Sequence, residues 1–175
     1  MIRPRAIDLN NDRAALLEFH CRINYENDST WARTMPFTLY GQRWLNTPRP
    51  EEFLAALATS MMDKRTIAEV WEDEKAVVGY LWVVFIDLND YNLTFAEVND
   101  MAVVPEYQRL GIAFEMLAHS ERLARERGAH LLRSGTGIEN IASQKLHEKY
   151  GFKTYRLQYE KLLVEESVLN QPLLS

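Results

Sequence analysis

The stretch Val103 to Leu117, "VVPEYQRLGIAFEML", has the residue types and spacing in this chain that point most directly to chemistry. A strongly apolar strand runs through Pro105 into Gln108-Arg109-Leu110-Gly111-Ile112-Ala113 and then becomes helix. Glycine that near a helix start is costly unless something must come close to the backbone. The first turn of a helix carries N–H groups without intrahelical partners, and the aligned peptide dipoles add partial positive charge. Together they make an anion site suited to phosphate. Gly111 and Ala113 remove side-chain bulk on the approach to the amides of Arg109 to Phe114, and Arg109 adds a cationic side chain. A second reading stays open, in which Gly111 only lets the helix pack closely on the sheet. The stretch lacks both Gly-x-Gly-x-x-Gly and a Gly-Lys-Ser/Thr ending, so a nucleoside-triphosphate site is unsupported.

This turn has to be held by ordered elements, and the pattern supplies them. "IRPRAID" reads as a first strand, followed by a helix from Arg13 to about Ile23 with Ala14, Leu17 and Cys21 at helical spacing. "NYENDSTWARTMPFTLYGQRWLNTPRP" is irregular and aromatic-rich, and Pro50 opens a further helix. "TIAEVWED", "AVVGYLWVVFID" and "LTFAEVNDMAVV" are β-branched and aromatic, so they form an antiparallel meander. Then come a helix from about Arg109 to Arg127, a strand "AHLLRS", a helix from about Asn140 to Tyr150 and a strand "KTYRLQYEKL". Strands first antiparallel and later joined through a helix imply an α+β (α/β) domain, its mixed, mostly antiparallel sheet flanked by helices. Residues 1–175 read as a single domain, with a core over 1–162 and an extension over 163–175.

The composition is ordinary for a globular domain of 175 residues, with 47% hydrophobic and 26% charged residues. A formal charge of -5 argues against a general nucleic-acid binder. No apolar run approaches the roughly 20 residues of a membrane span, and "MIRPRAIDLNND" lacks the apolar core of a signal peptide. Cys21 is the only cysteine, which makes a reducing, cytoplasmic setting the default. The histidines show no metal-ligand spacing, so no metal is expected.

"NDMAVVPEYQRLGIAFEML" resembles the acetyl-CoA-binding motif of the GNAT superfamily of N-acetyltransferases, Gln/Arg-x-x-Gly-x-Gly/Ala, here Gln108, Gly111 and Ala113. "ENIASQKLHEKYGF" resembles the second motif of that family. The resemblance implies the GNAT fold, acetyl-CoA as cosubstrate and transfer of acetyl to a primary amine of a small molecule or protein. It implies that backbone groups of Met101, Ala102 and Val103 pair with the pantetheine arm, and that the diphosphate falls on Arg109, Leu110, Gly111, Ile112 and Ala113. Glu97 sits where the family's histone-modifying branch carries its catalytic glutamate, which makes it the first candidate for general base. Asp100 is the second, and Asn99 could position a water. Strand alternation puts Glu97, Asn99 and Met101 on one face unless a bulge intervenes.

In the second motif His147 stands where most relatives carry the tyrosine that protonates the coenzyme sulfur. Spacing makes Ala142, Leu146 and Tyr150 the buried stripe, with Ser143 and His147 beside it, facing the cofactor. Either His147 replaces the tyrosine as acid, or water serves and His147 is a surface residue. Asn140 is an N-cap, a coenzyme contact, or both. The missing tyrosine keeps a non-catalytic acyl-CoA sensor open as an alternative, as it does an acyltransferase with another donor. In the aromatic segment, Trp31, Phe37, Tyr40 and Trp44 either line a pocket for an apolar or cationic amine or fill a second small core or dimer contact. The expected partner is a small-molecule or peptide amine, with a homodimer compatible and neither nucleic acid nor membrane involved.

Overall fold

The structure, a computed structural model, describes residues 1–27, 30–74 and 76–165. Its strands β1 (Arg3–Ala6), β2 (Ile67–Asp73), β3 (Ala76–Leu88), β4 (Leu93–Val103) and β5 (Leu131–Ser134) form one sheet in that order. The pairs from β1 to β4 are antiparallel, and β4 pairs β5 in parallel. The parallel pair requires a crossover, which α4 (Ile112–Glu126) provides. Helices α1 (Arg13–Asn27), α2 (Phe37–Leu45) and α3 (Arg49–Ser60) precede the meander, and α5 (Ile141–Tyr150) follows β5.

The two sheet faces carry separate cores because side chains alternate along each strand. On one face, Val83, Phe85, Ala96 and Val98 pack with Ile112, Met116 and Ala124 of α4. On the other, Val70, Tyr80 and Trp82 pack with Leu16 and Phe19 of α1 and with Phe53, Leu54 and Leu57 of α3. Leu16 and Leu57 are fully buried, each worth roughly 1.5–3 kcal/mol relative to exposure. Met35, Tyr40 and Trp44 gather with Cys21 and Ala32 into a third cluster. Burial pushes the Cys21 thiol up to about 11, so it stays protonated and inert.

Several expectations change. The aromatic segment is not irregular throughout: α2 crosses it, preceded by a 3-10 turn over Thr30–Thr34. Helix α4 begins at Ile112 rather than near Arg109, because Arg109 and Gly111 both hold positive φ. The expected strand at 153–162 does not form. That segment is irregular and exposed, tied down by Glu160, which accepts hydrogen bonds from the Thr30 N–H and hydroxyl. Its alternating pattern is real, but it forms no ladder among the described residues, although Tyr155 packs against Arg133 of the edge strand β5. On α5 the expected buried stripe is shallow, with Ala142 exposed and Leu146 and Tyr150 half-buried.

Candidate active site

The site is organised by what β4 does after Val98. Its last pair with β5 is Val98↔Ser134, so beyond that point the far edge of β4 has no strand partner among the described residues. On its near edge the register jumps from Val83↔Val98 to Trp82↔Asp100, which leaves Asn99 as a bulge. A bulge re-aims the side chains that follow it. Glu97 pairs Val84, Asp100 pairs Trp82 and Ala102 pairs Tyr80, so Glu97 and Asp100 share the face covered by α1 and α3. Met101 and Val103 pack on the α4 face instead. The alternation that grouped Glu97 with Met101 is therefore broken at Asn99.

After Val103 the chain makes a 3-10 turn at Pro105–Tyr107 and reaches the start of α4. Gly111 is the N-cap residue, at φ 89, with no side chain capping the helix. An added Cβ there would meet nothing within 4 Å. Close packing thus does not explain the glycine; its left-handed conformation and the open approach do. The amides of Ile112, Ala113 and Phe114 are left to an external acceptor. Arg109 also holds φ 63, a strained conformation of the kind that concentrates at binding sites. Its guanidinium makes no ion pair among the described residues. Leu110 is exposed, whereas Ala113 packs against the core. Gln108 turns inward, its Nε2 donating to the Val103 carbonyl at 3.1 Å and fixing the turn to the strand.

Across the opening, His147 of α5 sits with Nδ1 2.7 Å from the Ser143 carbonyl and Nε2 2.7 Å from Ser134 Oγ. A carbonyl only accepts, so Nδ1 carries a proton and neutral His147 accepts from the Ser134 hydroxyl through Nε2. Ser134 closes the β4–β5 pairing, so this pair stands at the mouth of the opening. No sequence motif singled out Ser134; its position at the end of a short strand is the only signal. Tyr150 is held elsewhere: its hydroxyl donates to Glu121 at 2.6 Å, and burial together with that bond pushes it up to about 12. Asn140 caps α5 by accepting from the Ser143 N–H, and its Nδ2 donates to Glu26 of α1 at 3.3 Å.

Glu97 is half-buried, and its carboxylate has no hydrogen bond or ion pair among the described residues. Asp100 is buried and engaged, its Oδ2 lying 2.7 Å from His20 Nδ1. The aromatic segment builds a small core and also borders a cavity. Tyr40 and Trp44 are core residues, yet with Trp31 they also line a cavity of about 290 Å³ together with Met35, Arg43 and Arg49. Phe37 is directed elsewhere, against Tyr25 and the Arg22 guanidinium. A smaller cavity of about 80 Å³ lies between Ala15, Phe19 and Arg22 of α1 and the Val103–Pro105 end of β4.

A strand that parts from its parallel neighbour and then feeds a glycine-started helix is the architecture of an acyl-coenzyme A acyltransferase. The Acetyltransferase (GNAT) family profile matches residues 29–152, and the chain belongs to that family. No curated protein matches it. Among solved structures, a predicted acetyltransferase with acetyl-CoA from Clostridium acetobutylicum is 18% identical, with TM-score 0.68 over 93% of this chain and 97% of that one. The aminoglycoside antibiotic 6'-N-acetyltransferase AAC(6')-Ih from Acinetobacter baumannii is 16% identical, with TM-score 0.64 over 94% and 100%. A transcriptional regulator from Bacillus halodurans is 18% identical, with TM-score 0.67 over 93% and 100%.

Proposed function

We propose that this protein is an N-acetyltransferase, working as a single domain, that moves acetyl from acetyl-CoA directly to a primary amine of a small molecule or protein. The observation that carries the reading is the course of β4: a free strand edge after Val98 leads straight to the unpaired amides behind Gly111. That edge suits an extended amide-bearing arm and those amides suit a diphosphate, so the residues present fit coenzyme A. The edge from Met101 to Val103 would hold the arm; Arg109 to Phe114 would hold the diphosphate. When bound, acetyl-CoA supplies an acetyl group activated as a thioester. An N–H of that edge would stabilise the oxyanion, a role worth about 3–4 kcal/mol per donor in other enzymes.

Glu97 is the base. A lysine-like ammonium has a reference pKa of about 10.4, so its proton must be taken before nitrogen can attack. The Glu97 carboxylate has no partner among the described residues and faces α1, which supports that role. Asp100 is engaged by His20 and does not meet substrate itself. On the other side of the opening, His147 in its protonated form donates through Nε2 to Ser134, whose hydroxyl passes a proton to the departing thiolate. Imidazole is the side chain best suited to that task near neutrality. Asn140 and Ser143 hold the start of α5 that presents His147.

The acceptor enters from the α1–α3 side, where Trp31, Tyr40 and Trp44 line their cavity. The aminoglycoside acetyltransferase among the structural neighbours supports a small-molecule amine. Among the described residues, no helix is long and apolar enough to cross a membrane, and no group of three or more His, Cys, Asp and Glu could hold a metal ion. The reading includes a cytoplasmic setting and a homodimer, the latter supported by exposed Tyr155, Leu157 and Tyr159. Thiol release from acetyl-, propionyl- and succinyl-CoA with a panel of amines tests the activity. Turnover with acetyl-CoA and an amine is expected. Tight coenzyme binding without turnover for any amine would instead make the protein a sensor.

A further inference from the structure

His20 and Asp100 lie 80 residues apart in the chain and meet just beyond the Asn99 bulge. The Asp100 side chain is 5% exposed, and a carboxylate buried that far is costly unless paired. His20 Nδ1 meets it at 2.7 Å. Because a carboxylate only accepts, Nδ1 carries the proton, which leaves Nε2 as a bare lone pair in the neutral ring. Nε2 has no hydrogen-bond partner among the described residues.

The ring cannot swing away. It stacks on Phe53 of α3 with centroids 3.8 Å apart and planes within 7°, and Trp44 of α2 closes another side at 6.0 Å. It still keeps 18% exposure. Among the described residues of β3, the other titratable group facing the pair is Tyr80, whose buried hydroxyl is held protonated by desolvation and by the negative charge of Asp100. A carboxylate fixing an imidazole through Nδ1, with Nε2 directed elsewhere, is the base-and-orienter geometry of acyl-transfer enzymes. The pair also lies in the right place. Glu97 and Asp100 share a face, separated along the strand by about 7 Å, the span of two residues once the bulge is discounted.

We propose that His20, oriented by Asp100, is the second station for the proton of the acceptor amine. The proposal rests on the acetyltransferase reading. Glu97 takes the proton from the ammonium, directly or through water, and passes it to His20 Nε2. The resulting imidazolium is stabilised by Asp100. The nitrogen lone pair so freed forms the C–N bond as the C–S bond breaks; the cationic nitrogen then loses its second proton to solvent, and the thiolate takes one from Ser134, which protonated His147 replenishes and solvent restores. His20 then returns its proton to solvent, so the balance closes without any further reactant. His20 is a relay and positioning residue rather than one that touches substrate.

The test uses the full-length protein, acetyl-CoA, and spermidine, neamine and a lysine-containing peptide as acceptors. In the ¹⁵N spectrum of the free wild type, the His20 proton is expected on Nδ1 with Nε2 bare. His20→Gln should lower kcat about 100-fold, within the usual range for acid–base groups, and flatten the acid limb of its pH profile. KM for the acceptor and affinity for coenzyme should not change, which shows that the variant is folded. Asp100→Asn should shift the proton to Nε2 and lower kcat similarly. A wild-type kcat in His20→Gln, or a protonated Nε2 in the wild type, overturns the proposal. Failure of the acetyltransferase reading looks different, because the wild type itself would then release no thiol with any amine. The tautomer then decides the pair alone: Nδ1–H supports a base held by Asp100, and Nε2–H overturns it.

Discussion

The two stretches of β4 on either side of Asn99 and the turn that follows them are made of different materials. The C-terminal part, from Met101 to the start of α4, offers mostly main chain: an unpaired strand edge, a left-handed Gly111 and the free amides of a first helical turn. The N-terminal part, with the bulge itself, offers side chains: Glu97, Asp100 and, across from them, His20. Main-chain groups recognise what every acyl-coenzyme A shares, whatever acyl group or acceptor is involved. Side chains handle protons and can be changed singly. Variation on one side should therefore remove binding, and variation on the other should remove turnover while binding persists.

The largest effect on turnover is expected at Glu97. Glu97→Gln should lower kcat about 100-fold at neutral pH, with a smaller loss as pH rises and more of the amine is free. A pH–rate profile identical to the wild type would remove Glu97 as base and break the division between the two stretches. A smaller loss is expected on the leaving side. His147→Phe and Ser134→Ala should each slow thiol release about ten-fold, short of the ~100-fold usual for a general acid because water competes. Unchanged release would assign the proton to water.

The smallest effect concerns the frame that holds α5 against α4. Tyr150 keeps its proton to about 12 rather than the ordinary 10. Its folded pKa is raised, so the stability it contributes is complete below about pH 10 and is lost as pH rises towards 12. Thermal melts of wild type and Tyr150→Phe should accordingly differ at neutral pH and converge over that alkaline window. A gap that persists above it would mean that the ring, and not the hydroxyl bond to Glu121, holds the helices.

The same division explains what could be read in advance. The turn that starts α4 was legible because it is local: Gln108, Gly111 and Ala113 lie within a few residues of one another, and Gly111 acts through its left-handed backbone. The meander, α4, β5 and α5 were legible for the same reason, since periodicity and turn residues are local signals. The proton side was only half legible. Glu97 was found on its strand, but the bulge at Asn99 turned Asp100 and not Met101 to its face. Nothing in "EFHCRI" marks His20 as the partner of a residue on β4; only the packing of α1 over the sheet brings them together. His147 was placed on the stripe it shares with Ser143, while its bond to Ser134 depended on where β4 and β5 part. The segment at 153–162 failed in the opposite sense: its alternation predicts a strand, and Tyr155 does pack on Arg133 of the edge strand β5, but no ladder forms among the described residues.

The most direct test of the central claim is calorimetric titration of acetyl-CoA into the wild type and into Gly111→Asp. At φ 89 an aspartate costs the fold about 1–2 kcal/mol, which a folded domain tolerates, but it places a carboxylate where the diphosphate belongs. The account predicts heat of association with the wild type and none with the variant, the melting curve of the variant remaining cooperative. Association of equal strength in both proteins, or none in the wild type, would contradict it.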